Sequence, residues 1–95
     1  MRIGTLTIEV FVVPAWVLRI EELQKIMAPL LDSIGPYHDF DYRRFEYLRA
    51  TLKWVAQIET FWKIDRIYNT LRRFLDKYFV FWQATITVSI KEEGG

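Results

Sequence analysis

The residues able to do covalent or metal chemistry are few and poorly grouped. His38 is the sole histidine and stands in His38-Asp39-Phe40-Asp41, a run that offers an imidazole and two carboxylates to a metal ion. On an extended strand, however, alternate side chains point to opposite faces, so Asp39 and Asp41 turn one way and His38 the other. Ser33 and Ser89 are the only serines, and with one histidine in the chain neither has an evident base and orienting partner. Cysteine is absent, which removes disulfides, thiol nucleophiles and thiolate metal sites. Gly4, Gly35, Gly94 and Gly95 are too scattered to cradle a phosphate. The expectation is a noncatalytic protein without metal or cofactor, acting through contact.

Contact surfaces depend on charge, and here the charge is unevenly placed. Met1 to Tyr42 carries a net −3, Arg43 to Lys77 a net +5 and the remainder −1, which together give the overall +1. A basic middle points to a polar partner, although an ordinary solvated surface gives the same pattern. The near-neutral total is far from the excess expected of a chain that lives on bare nucleic acid. With 95 residues, 52% hydrophobic and 17% aromatic, the chain has material for one core, so residues 1–95 are read as a single domain rather than a disordered segment. The longest uncharged apolar stretch, Val10 to Leu18, is too short for a bilayer and is broken by Pro14. No charged leader precedes it, and the expected location is cytoplasmic.

Periodicity supplies the elements. Leu6, Ile8, Val10 and Val12 alternate with Thr5, Thr7 and Glu9, the period-two signature of a half-buried strand. Leu23, Ile26, Met27, Leu30, Leu31 and Ile34 recur at helical spacing, predicting a helix from about Val17 to Ser33 that Pro29 loosens and Gly35-Pro36 stops. Tyr37 to Arg44 alternates as a short strand. The segment after it reads at helical spacing through Phe45, Leu48, Leu52, Val55 and Trp62, or at period two through Leu48, Ala50, Leu52, Trp54, Ala56 and Ile58. The strand is preferred, because its outer residues match the outer face of the first strand. Ile64, Ile67, Tyr68, Leu71, Phe74, Leu75 and Tyr78 form a second helical stripe, with Thr60 a candidate cap and Asp65 near the positive end. Val80, Trp82, Ala84, Ile86, Val88 and Ile90 alternate with Gln83, Thr85, Thr87, Ser89 and Lys91 in a last strand. The order is βαββαβ, a ferredoxin-like α+β arrangement of an antiparallel sheet with two helices on one face. The hairpin near Glu46 has no glycine, asparagine or proline to mark its turn.

The run Tyr78-Phe79-Val80-Phe81-Trp82 stands out within this frame. Alternation would bury Val80 and Trp82 and turn Phe79 and Phe81 to the open face beside Phe11 and Val55. An apolar patch among threonines and charges marks a contact surface. Stacking of single-stranded bases there is the sharper alternative, though the glycine-bracketed aromatic signature of RNA-recognition folds is missing.

The second helix carries a further pattern. Arg66, Asn69, Thr70, Arg73, Phe74 and Leu75 occupy the places at which the small dimerisation subunit of the KEOPS complex has an Arg, an Asn followed by Ser or Thr, and an Arg before an aromatic and an aliphatic residue. The chain resembles that family from roughly Thr5 to Tyr78, with the elements in the same order. KEOPS makes threonylcarbamoyladenosine in tRNA. The resemblance implies a noncatalytic subunit that pairs with itself or a paralogous small subunit and docks on the catalytic subunit. The family usually ends at its second helix, so the strand after Phe79 is a departure that fits a divergent paralogue better than the standard subunit.

Two sets of contact residues follow. A partner interface is expected at Leu23, Gln24, Met27 and Leu31 of the first helix, Tyr68 of the second, and Phe79 and Phe81. Contact with tRNA phosphates is expected at Arg43, Arg44, Arg49, Lys53, Arg72 and Arg73, unless Glu46, Glu59 and Asp65 neutralise them. A free-standing small RNA- or DNA-binding protein and a ferredoxin-like regulatory dimer are the competing readings; no membrane partner is expected.

Overall fold

The computed structural model describes residues 2–35, 37–45, 48–58 and 63–92. Strand β1 runs Arg2–Val13, helix α1 Ile20–Asp32, β2 Tyr37–Phe45, β3 Arg49–Ile58, α2 Ile64–Tyr78 and β4 Phe81–Glu92. The sheet is antiparallel throughout, in the order β2-β3-β1-β4. The expected βαββαβ order and single covered face are present.

The alternation in sequence becomes burial in space. Leu6, Ile8, Val10 and Val12 of β1 and Ala50, Leu52, Trp54, Ala56 and Ile58 of β3 are buried on the helix side. Leu23, Met27 and Leu31 of α1 and Ile67, Leu71 and Leu75 of α2 close over them. Removing this many aliphatic side chains from water is the main favourable term in folding, at roughly 1.5–3 kcal/mol for each one fully buried. Trp54 is the largest of the fully buried side chains, packs its ring 4.9 Å from that of Phe40, and donates its indole N–H to the Gln24 side-chain oxygen at 3.2 Å.

Boundaries depart from expectation where local geometry intervenes. A single 3-10 turn, Ala15–Val17, follows Pro14 and places Ala15 in the core, and extended backbone at Leu18 then delays α1 to Ile20. Pro29 is exposed and α1 continues past it to Asp32. The N-cap of α2 is Lys63, without a side-chain cap bond, while Asp65 lies in the first turn as expected; Thr60, Glu46 and Glu59 lie outside the described residues. Leu48 does not begin the buried row of β3. It occupies the hairpin turn, exposed, with φ at 73°, a left-handed conformation that a branched aliphatic residue adopts at a cost.

The passage from α2 to β4 also differs. Phe79 still donates its backbone N–H to the Leu75 carbonyl at 2.9 Å, so it closes the helix and drops its ring into the core at 7% exposure. Val80 is 93% exposed and the sheet alternation starts only at Phe81. The expected roles of Phe79 and Val80 are therefore exchanged. Gly35, beyond its place after α1, touches β3 directly. A Cβ there would lie 1.6 Å from the Gln57 carbonyl oxygen, so only glycine lets the end of α1 approach the sheet this closely.

Candidate interaction surfaces

The face of the sheet opposite the helices is uncovered by any described residue. Strand register sets its side chains in cross-strand rows. Arg43 of β2 stands beside Thr51 of β3, which stands beside Phe11 of β1 and then Gln83 of β4. The next row is Asp41, Lys53, Glu9 and Thr85. These rows border a shallow concavity of about 500 Å³. Phe11 and Phe81 meet edge to face with ring centroids 6.2 Å apart, and Phe45 is exposed at the same end of the sheet. The expected apolar patch is thus built by Phe11 and Phe81, with Val55 half-buried further along β3 and Phe79 withdrawn into the core.

Among the described side chains, charge on this face is balanced. Arg43, Arg49 and Lys53 share it with Asp39, Asp41 and Glu9, and Lys53 is set in register between Asp41 and Glu9. The Arg43 Nε lies 3.4 Å from an Asp41 carboxylate oxygen. Cross-strand neighbours of opposite sign support one another and leave little net field to attract phosphates.

The six cations expected to contact tRNA do not form one track. Arg43, Arg49 and Lys53 are on the open face, Arg44 is at the helix side of edge strand β2, and Arg72 and Arg73 are exposed on α2, across the whole sheet from the first three. The spacing of the sequence brought them near in number but the two-layer fold separates them.

The expected partner interface is likewise divided. Leu23, Met27 and Leu31 are at most 1% exposed and are consumed by the protein's own core, so they present nothing to a partner. Gln24 is half-buried and holds the Trp54 indole, a role hidden in the sequence because the two residues are far apart along the chain. Tyr68 is half-buried on α2, and Phe81 alone of the set is openly exposed. Between the helices, Tyr78 donates its hydroxyl to Glu22 at 3.4 Å and lies under both Arg19 and Lys77, tying the ends of α1 and α2 together.

Of the α2 residues that resemble the KEOPS pattern, Phe74 and Leu75 are core, and the Thr70 hydroxyl donates to the Arg66 carbonyl one turn back. Arg66, Asn69 and Arg73 remain exposed. His38 projects to the helix side, where its Nδ1 lies 3.3 Å from an Asp32 carboxylate oxygen, while Asp39 and Asp41 belong to the opposite face, as the alternation requires. Among the described residues no group of three potential ligands could hold a metal ion, and no helix is long and apolar enough to cross a membrane.

No family model and no curated protein matches the chain. Solved structures resemble it in shape, two of them as follows. One is the de novo designed protein Foldit4, 11% identical, with a TM-score of 0.63 over 95% of this chain and 99% of that one. The other is a dimeric ferredoxin-like protein from an uncultured marine organism, 5% identical, with a TM-score of 0.62 over 96% of each chain. At such identities the likeness concerns the backbone alone, and what it establishes together with the strand order is that this chain has a ferredoxin-like fold.

Proposed function

We propose that this chain is a noncatalytic accessory module that works as a dimer and offers the open face of its sheet to a larger protein partner. The observation that carries the reading is the composition of that face: an aromatic pair, Phe11 and Phe81, within a surface whose described acidic and basic side chains cancel. A balanced surface with an aromatic centre suits a protein of mixed charge better than a polyanion, since nucleic-acid affinity rises with the number of uncompensated cations. Dimerisation is supported by the shared fold of a neighbour described as dimeric.

The pattern on α2 gives this module a concrete setting, as a paralogue of the small subunit in a cytoplasmic KEOPS complex. There the exposed Arg66, Asn69 and Arg73, on the helix layer across the sheet from the docking face, would be the residues turned to tRNA. The test is purification of the tagged chain from its native cell beside a Phe81→Glu variant. A defined partner held by the first and lost from the second supports the reading, and recovery of the KEOPS catalytic subunit would supply the setting. Tight binding of tRNA by the isolated chain, with a salt slope that falls by roughly one to two units in Arg49→Ala/Lys53→Ala, would overturn it in favour of nucleic-acid binding.

A further inference from the structure

The two edges of the sheet are treated very differently by the sequence. An edge strand presents a row of unpaired N–H and C=O groups, and proteins that remain monomeric blunt such rows with charges, proline, bulges or a short strand. β2 is blunted by Asp39, Asp41, Arg43 and Arg44 along its length. β4 lacks these devices over most of its length: from Phe81 to Ile90 it carries no charge, no proline and no glycine, and charges come only at its last two positions, Lys91 and Glu92. Its pairing with β1 runs from Arg2↔Glu92 to Val13↔Phe81 without a skipped residue, so no bulge bends it away. No described strand lies on its outer side. The helices also fail to cover its far half, where Val88 is 36% and Ile90 52% exposed on the helix side.

We propose that β4 pairs antiparallel with β4 of a second copy, joining two four-stranded sheets into one. This rests on the reading of the chain as a dimer and identifies where the copies meet. The strand is its own best complement. A two-fold axis normal to the sheet makes the contact isologous, keeps both helix layers on the same side, and sets the Thr85, Thr87 and Ser89 row against itself in pairings that sheets favour. The same axis brings the exposed Val88 and Ile90 of the two copies into one apolar strip. Because neither strand carries a charge there, the pairing meets no repulsion and needs no counter-ion. The open face with Phe11 stays free on both copies.

Sedimentation velocity of the full chain at micromolar concentrations, with far-UV circular dichroism as a check on folding, tests this directly. Wild type is expected to be dimeric. Val88→Lys/Ile90→Lys places like charges across the axis and should weaken the dimer about tenfold or more, while Phe11→Lys, on the open face, should leave it intact. In wild type, hydrogen exchange of the β4 amides should slow as concentration rises, a measurement that needs no variant. A monomeric wild type overturns both the dimer reading and this interface. A dimer that survives Val88→Lys/Ile90→Lys, or one broken by Phe11→Lys alone, or β4 amides indifferent to concentration, overturns the edge pairing and leaves the dimer reading standing.

Discussion

Leu52, Lys53 and Trp54 are consecutive on one strand, yet they live in different media. Leu52 and Trp54 are 1% exposed beneath the helices, whereas Lys53 stands on the open face between Asp41 and Glu9. The covered face is packed to a single arrangement and carries the stability; the open face is polar, charge-balanced and nearly free of structural duty. Separating the two in this way lets a small protein change what it binds without disturbing what holds it together.

The sharpest way to break this division is to truncate neighbours on the two faces. Trp54→Ala should cost about 3–5 kcal/mol, a large share of the stability of a domain this size, by opening a cavity beside Phe40 and orphaning the Gln24 side chain. Lys53→Ala should change stability by no more than about 0.5 kcal/mol. Urea denaturation of both variants gives the comparison, and equal losses would mean that the open face is structural after all.

The next effect sharpens where the covered face is sealed. Gly35→Ala sets a methyl group into the Gln57 carbonyl and should cost about 1–3 kcal/mol as α1 shifts off the sheet. A thermal melt unchanged from wild type would show that the approach of helix to strand is looser than the packing indicates. The smallest effect lies at the hairpin, outside both faces. Leu48→Gly relieves the positive φ at the expense of a more flexible unfolded chain, for a net gain of about 0.5–1 kcal/mol. A loss on denaturation would mean that the exposed Leu48 side chain makes contacts that outweigh its backbone strain.

How far the sequence disclosed this molecule depended on the range of the interaction concerned. Period-two alternation in Leu6 to Val12 and Ala50 to Ile58 is a local consequence of the pleat, and it located the strands and their buried faces without any knowledge of partners. Helix ends were less legible. Whether Phe79 closes α2 or opens β4 turns on one hydrogen bond to Leu75, and the alternate residues from Val80 onward read equally well either way. The long-range features were not legible at all: that Gln24 serves Trp54, that Gly35 must pass Gln57, and that β4 rather than β3 takes the edge. The proposed surfaces suffered for the same reason. A stripe such as Leu23, Met27 and Leu31 looks identical whether its partner is the protein's own sheet or another chain, and basic residues close in number fell on opposite layers.

The central position of β1 governs the order in which this protein can assemble. β1 is the first of the four strands to be made, but one of its two ladders is with β4, the last of the four. Joining them closes a loop of most of the chain, an entropic cost that long-range strand pairing must meet before any reward, and folding slower than that of a helical bundle follows. Until β4 has left the ribosome, β1 stands at the edge of a three-stranded sheet with its own backbone groups unpaired. A nascent chain at that stage is itself an open template for strand addition, and the arrival of β4 is the step that closes β1 while turning the unpaired edge over to a strand uncharged from Phe81 to Ile90.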